Sequence, residues 1–424
     1  MCASIGVSPA DADAALLQLE GEGVVLRGRF TPGETVLEWC DRTLLGRIHR
    51  YTLNRLRAEI EPVSPADFMR FLFRWQHVEA SSTLTGPDGL REVIAALDGY
   101  ELAAGAWERA VLPARLDNYD ASMLDMICLA GQAGWARLSP AALQGPSPSL
   151  VPATPIALFL REHSDAWRTL RPVAEEPPLG EAAGSVLQVL RARGASFFDD
   201  LARTCALDAD QLRQAMGALV ASGLAASDGF AGLRALVWAA RGRPAHHDRR
   251  SRFAGRWSVT ASGETVSREE AVELQAWTLL RRYGVVFRRL LARETNAATW
   301  RELARVYRRL EARGEIRGGR FVTGMSGEQF ALAHAVERLR EVRRIAADGR
   351  LVTISAADPL NLTGIVTAGD RIRTVGRNRI VYREGTPLAV LEGGAVRGLA
   401  PIDARLAADV SRALKARRVP ALAR

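Results

Sequence analysis

Set at about 100° intervals, the residues from Ala297 to Arg313 divide between two faces. Trp300, Leu303, Val306, Tyr307 and Leu310 share one face; Arg301, Arg305, Arg308, Arg309 and Arg313 occupy the other, and Arg317 and Arg320 carry the charge past the helix end. A helix that lies against nucleic acid needs this division: an apolar stripe to seat it and guanidinium groups to reach phosphate oxygens or base edges. Trp300 and the seven arginines are therefore the candidate DNA-binding set. The competing reading is a solvated basic face partly neutralised by Glu302 and Glu311.

Two further residues carry chemistry of another kind. Gln76, in Trp75-Gln76-His77 at the end of an apolar helical run, is placed to face a nucleobase or position a water. Asp358 opens Asp358-Pro359-Leu360-Asn361-Leu362-Thr363-Gly364 as a lone carboxylate in a basic chain, suited to general-base work. Each has a structural alternative: a helix end satisfied by backbone for Gln76, and an Asx or Pro turn for Asp358. His246-His247 lies among Arg241, Arg243, Arg249, Arg250 and Arg252 without further ligands nearby, and Cys2, Cys40, Cys128 and Cys205 are too scattered for a zinc site, so neither metal nor cofactor is expected.

The whole chain supports an anionic partner. Among 424 residues, 57 Lys and Arg face 48 Asp and Glu, giving a net charge of +9, and Lys415 is the single lysine. With 48% hydrophobic residues, several cores are expected rather than disorder. There is no GxxxxGK[ST] loop to cradle a nucleotide, so no ATPase or helicase motor is expected in this chain. No apolar run reaches the ~18 residues needed to cross a bilayer, and the amino terminus lacks a secretory signal. A cytoplasmic location without membrane contact is expected.

The elements that must position these residues follow a recurring plan: an amphipathic helix ends at glycine and a short hairpin follows. It occurs at Leu16–Phe30, at Leu124–Leu138 through Gly131, at Leu212–Leu236 through Gly223, and at Leu310–Val322 through Gly314. Glycine accepts the left-handed conformation that ends a helix, and helix, turn and hairpin in order make a winged helix. Helices are expected at 42–59, 65–75, 90–97, 103–115, 297–313, 328–344 and 401–417. Six short strands (352–354, 364–366, 371–375, 379–382, 388–391, 396–399) suit a small antiparallel barrel or sandwich. The expected fold is α+β: mostly helical tandem winged-helix domains at 1–40 (partial), 41–150 (with a helical insert), 179–240 and 257–325, then a β-barrel with its preceding helix at 326–400 and a C-terminal helix at 401–424.

Several long stretches resemble one family. Glu38–Arg42 leading to Ile48–Arg57, Phe68–His77, Leu112–Arg115, Arg282–Arg288, Arg308–Val322, Gly327–Leu332 and Asp358–Leu362 look like the C-terminal region of the large helicase-related (Lhr) DNA-repair helicases, with an architecture similar to AlkZ-type DNA glycosylases. The resemblance implies a DNA-binding module of such a helicase, here lacking the ATPase core. It also implies a tendency to homo-oligomerise and a separate helicase core as a partner. DNA, single-stranded or as repair intermediates, is the implied ligand. The alternative it implies is a free-standing DNA glycosylase acting on uracil or a damaged base. Such an enzyme must flip a base and position water, and Gln76 and Asp358 are the catalytic candidates for that work. In the crosslink glycosylases a glutamine-rich motif carries the chemistry, and this chain has only Gln76 in a loosely comparable context.

Overall fold

A computed structural model describes residues 6–31, 33, 35–58, 60–141, 148–172, 177–239, 255–260 and 266–416. They form two compact units: the residues up to Glu61 together with Gly318–Arg320, and the remainder from Pro62 onward.

In the N-terminal unit, α1 (Pro9–Gly21) is capped by the Ser8 hydroxyl, which accepts from the Asp11 amide. It leads into an antiparallel pair, β1 (Val25–Gly28) with β2 (Glu38–Asp41), and then into α2 (Arg42–Ala58). The Asp41 carboxylate caps α2 by accepting from Leu44 N at 2.8 Å. α2 groups with this unit, which extends to Glu61.

The larger unit repeats one topology. In its first module come α3 (Pro65–Trp75), α4 (Gly86–Ala96), β3 (Glu101–Ala103), α5 (Ala121–Leu129), β4 (Ala133–Ala136) and β5 (Pro155–Leu160). The sheet order is β3-β5-β4, with the last strand central. After α6 (Ser164–Leu170), the next module runs α7 (Glu181–Arg193), β6 (Ser196–Phe197), α8 (Phe198–Cys205), α9 (Ala209–Ala221), β7 (Ala225–Ser227), α10 (Phe230–Ala239) and β8 (Arg256–Val259). Its sheet order, β6-β8-β7, again puts the last strand in the middle. The third module runs α11 (Arg268–Tyr283), β9 (Val285–Phe287), α12 (Trp300–Ala312), β10 (Arg317–Gly319) and β11 (Gln329–Ala331), with β11 antiparallel to β9. Helix, strand, helix, then a hairpin whose second strand returns to the first strand is the winged-helix arrangement. The closing strands β5 and β8 lie beyond the expected limits at 150 and 240; the basic segment with His246-His247 lies outside the described residues.

The glycine expectation is met in each copy. Gly23, Gly131, Gly223 and Gly314 have φ of +75°, +73°, +68° and +78°. Each donates its amide to the carbonyl three residues back while the next residue donates to the carbonyl five residues back: Gly23 to Glu20 O and Val24 to Leu19 O, and likewise Gly131/Gln132, Gly223/Leu224 and Gly314/Glu315. These paired bonds satisfy the orphan carbonyls of the final turn and aim the chain into the hairpin.

The C-terminal region departs from expectation. Four strands, β12 (Leu351–Ser355), β13 (Arg379–Arg383), β14 (Thr386–Glu392) and β15 (Ala395–Gly398), form an open meander in chain order, and β12 does not pair with β15, so the barrel does not close. Residues 364–366 form a turn and 371–375 an irregular segment, held by bonds such as Gly364 N to Thr367 O and Asn361 Nδ2 to Ile372 O. Instead of further strands, α14 (Ala404–Lys415) covers one face through Val410 and Leu414 packed with Val381, Leu388 and Ala389. Elsewhere, 103–115 gives two short turns, Ala104–Ala106 and a wide turn Trp107–Val111, and 328–344 splits into β11 and α13 (Ala333–Arg344).

The shared conformation sits in different surroundings, which predicts an order of stability. A Cβ at Gly314 meets nothing within 4 Å, so Gly314→Ala carries only left-handed strain, about 1–2 kcal/mol. At Gly223 a Cβ falls 2.9 Å from Arg137 O and 2.7 Å from Arg171 Nη2, so Gly223→Ala adds a clash. Denaturant unfolding should therefore find Gly223→Ala clearly the less stable variant; equal losses would contradict the assignment.

Candidate nucleic-acid interface

In the third module α12 holds the position of a recognition helix, and its start is built for precision. Thr299 and Glu302 form a reciprocal capping box, the Thr299 hydroxyl accepting from Glu302 N and the Glu302 carboxylate accepting from Thr299 N. Arg268, 2.8 Å away, and Thr299 hold the Glu302 carboxyl down at about 2. Leu303, Val306, Tyr307 and Leu310 are buried as their spacing requires. Trp300 is half-buried, its ring 6.2 Å from Tyr307 and 6.4 Å from Phe330, so it packs the helix to the sheet.

The arginines behave as two groups. Arg308 is paired with Glu328, Arg309 with Glu269 and Glu273, and Arg313 with Glu273 and Glu315. These three therefore supply less free charge than the helical wheel suggests. Arg301 and Arg305, one turn apart, and Arg317 at the start of the wing are exposed and have no carboxylate partner among the described residues. Arg320 is also exposed, on the segment that groups with the N-terminal unit.

Gln76 and Asp358 are brought together, but inside the protein. Arg115 donates Nη1 to Asp358 Oδ2 at 2.7 Å and Nη2 to Asp358 Oδ1 at 2.9 Å, while the same Nη2 reaches Gln76 Oε1 at 2.8 Å. All three side chains are about 1% exposed. Gln76 turns its amide nitrogen to Arg282 O at 2.8 Å, and Arg293 donates to Asp358 O at 2.7 Å. Asp358 Oδ1 also accepts from Leu360 N at 3.0 Å, the Asx turn that the sequence allowed. Every acceptor is used, and neither residue is open to a substrate, so the geometry gives both a positioning role. Arg115 is the residue that sequence reasoning missed: it ends the Leu112–Arg115 stretch of the family resemblance, and nothing in its local pattern marks a buried cation.

A cleft of about 600 Å³ lies alongside this anchor, lined by residues of α3, α4, α11 and α13, among them Trp75, Trp277 and His334. Trp75 lies next to Gln76 yet faces the cleft, fixed by its indole N–H on Arg281 O at 2.7 Å. Its ring stacks on His334 with centroids 5.2 Å apart and planes inclined by 26°. Among the described residues no group of His, Cys, Asp or Glu could hold a metal, and no helix is long and apolar enough to cross a membrane.

By topology the class is a tandem winged-helix protein with a C-terminal antiparallel sheet. Residues 63–155 and 265–351 each match a winged-helix domain of the large helicase-related protein family. The chain is 31% identical over 399 residues to a Mycolicibacterium smegmatis protein named Lhr helicase/probable uracil glycosylase, covering 85% of this chain and 25% of that protein. To the Lhr helicase/uracil glycosylase of Escherichia coli it is 29% identical over 371 residues, 77% of this chain and 23% of the other. The chain thus carries Lhr-family winged-helix domains and spans about a quarter of the length of these relatives, matching their C-terminal part. The solved structure of the Streptomyces sahachiroi DNA glycosylase AlkZ overlaps 85% of this chain and 99% of its own at 14% identity and a TM-score of 0.44.

Removing one member of the buried fork leaves the other uncompensated, at a cost of about 3–5 kcal/mol. Arg115→Met should therefore lower unfolding stability by that order, and adding Asp358→Leu should restore part of it. A double variant no more stable than Arg115→Met, measured by urea unfolding, would contradict the buried-charge account.

Proposed function

We propose that this chain is a DNA-binding module of the large helicase-related type that engages single-stranded DNA or partly unpaired repair intermediates. The observation that carries this reading is the unpaired, exposed set Arg301, Arg305 and Arg317 on the recognition helix and wing of a winged-helix domain. Arg308, Arg309, Arg313 and Arg320 are secondary contacts in this reading, the first three available only if their glutamates release them. Work alongside a helicase core and assembly of several copies are part of the same proposal, and sedimentation of the purified chain tests the latter.

Such contacts displace condensed counterions, so affinity falls with salt and each lost phosphate contact lowers the slope of log K against log salt by about one. Arg301→Ala and Arg305→Ala should each do this, with little dependence on DNA sequence. A slope unaltered by both substitutions would remove α12 from the interface.

The second reading, a DNA glycosylase, is favoured by the names of both relatives, which include uracil glycosylase. Because Gln76 and Asp358 are enclosed, the water-positioning group would have to lie elsewhere or be uncovered on binding. Incubation with a uracil-containing single strand followed by alkali separates the readings: strand scission at uracil supports the enzyme, and binding without scission supports the module.

A further inference from the structure

The cleft beside Trp75 carries a more specific assignment, which rests on the DNA-binding reading. Trp75 and Trp277 are half-buried and His334 is exposed, so the imidazole stacked on Trp75 and a second indole line one opening. Phe71 backs Trp75 with centroids 5.2 Å apart, which stiffens the platform from behind. The volume, about 600 Å³, lies within the ~300–1,000 Å³ of sites that take small organic groups.

Charge at the lining selects among such groups. Arg281 and Arg338 are exposed and have no carboxylate partner among the described residues, whereas Arg74 is occupied by Glu79 at 2.6 Å. Glu92 and Glu341 also reach the lining, and His77 Nε2 lies 3.5 Å from Glu92. Two carboxylates make the cleft a poor track for a continuous run of phosphates. Two free guanidinium groups beside aromatic faces instead suit one planar group with a phosphate attached. In a duplex the bases stack on each other and cannot offer a face, so the occupant must be unpaired.

We propose that this cleft receives an unpaired nucleobase of single-stranded DNA, stacked on the Trp75–His334 platform, with its flanking phosphate held by Arg281 and Arg338. Stacking on aromatic side chains is tolerant of sequence because every base has a π face. The site therefore senses the absence of pairing rather than the identity of the base.

The test compares the full chain binding to three probes by fluorescence anisotropy: a short thymidine oligonucleotide, the same backbone with abasic sites, and a mixed-sequence duplex. His334→Ala and Arg338→Ala alter exposed side chains, with thermal unfolding as the control for folding. The expected result is base-bearing single strand bound more tightly than abasic, with His334→Ala weakening only the former by ~10-fold. Equal affinity for base-bearing and abasic strands, or an equal loss on duplex, would overturn the cleft assignment while leaving DNA binding intact. Failure to bind any of the three probes would overturn both.

Discussion

The guanidinium of Arg115 is the constraint on which the rest of the larger unit depends. Buried without partners, a charge of this kind would cost several kcal/mol; it is tolerated because four donated bonds are met by Asp358, Gln76 and Val111 O. Those partners come from the end of α3, the wide turn after β3, and the loop after β12. None of them can move without stranding the charge, so one planar fork sets the relation of helix, turn and C-terminal sheet. Gly385 makes the fit close: a Cβ there would lie 1.9 Å from Ala66 O, so the β13–β14 turn meets the start of α3 backbone to backbone.

That constraint also explains how consecutive residues serve opposite purposes. The last turn of α11 leaves carbonyls without helical partners. Trp75 takes the one at Arg281 and Gln76 the one at Arg282, through an indole and an amide. With Gln76 pinned inward to Arg115, Trp75 has no freedom except to face outward into the cleft. His77 then turns the chain with φ of +59°, and its Nδ1 lies 2.7 Å from Ser82 O. The buried anchor fixes the exposed platform, and neither would be well placed alone.

How much of this could be read in the sequence depended on range. Helix limits and glycine stops are local, set by side chains and amides within one turn, and α3 and the four glycine ends were legible from residue order. The stripe on α12 was legible for the same reason, whereas the glutamates that occupy Arg309 and Arg313 sit on α11 or past the helix end. The Arg115–Asp358 pair spans 243 positions and the Arg115–Gln76 bond 39, and no periodicity records such separations. The expected barrel is not seen to close among the described residues, for a related reason. Short β-branched runs between glycines describe tight turns as well as strands, and only pairing partners distinguish them.

Part of the positive charge that first suggested an anionic ligand is occupied by partners within the protein. Arg137 and Arg171 illustrate this. Both guanidinium groups hydrogen-bond carbonyls at the end of α9, from Ala221, Ser222 and Gly223, and burial lowers the pKa of each. They act as helix caps, placing cations where the helix dipole is negative. Arg234 does comparable work between modules, bridging α10 to Glu108 and Asp125. Once the caps, buried forks and ion pairs are set aside, the exposed arginines without a carboxylate partner among the described residues include those on α12 with its wing, Arg281 and Arg338 at the mouth of the aromatic cleft, and others such as Arg288, Arg289, Arg371 and Arg373. Net charge is therefore a poor measure of how much DNA this protein could contact; the position of its unpaired arginines is a better one.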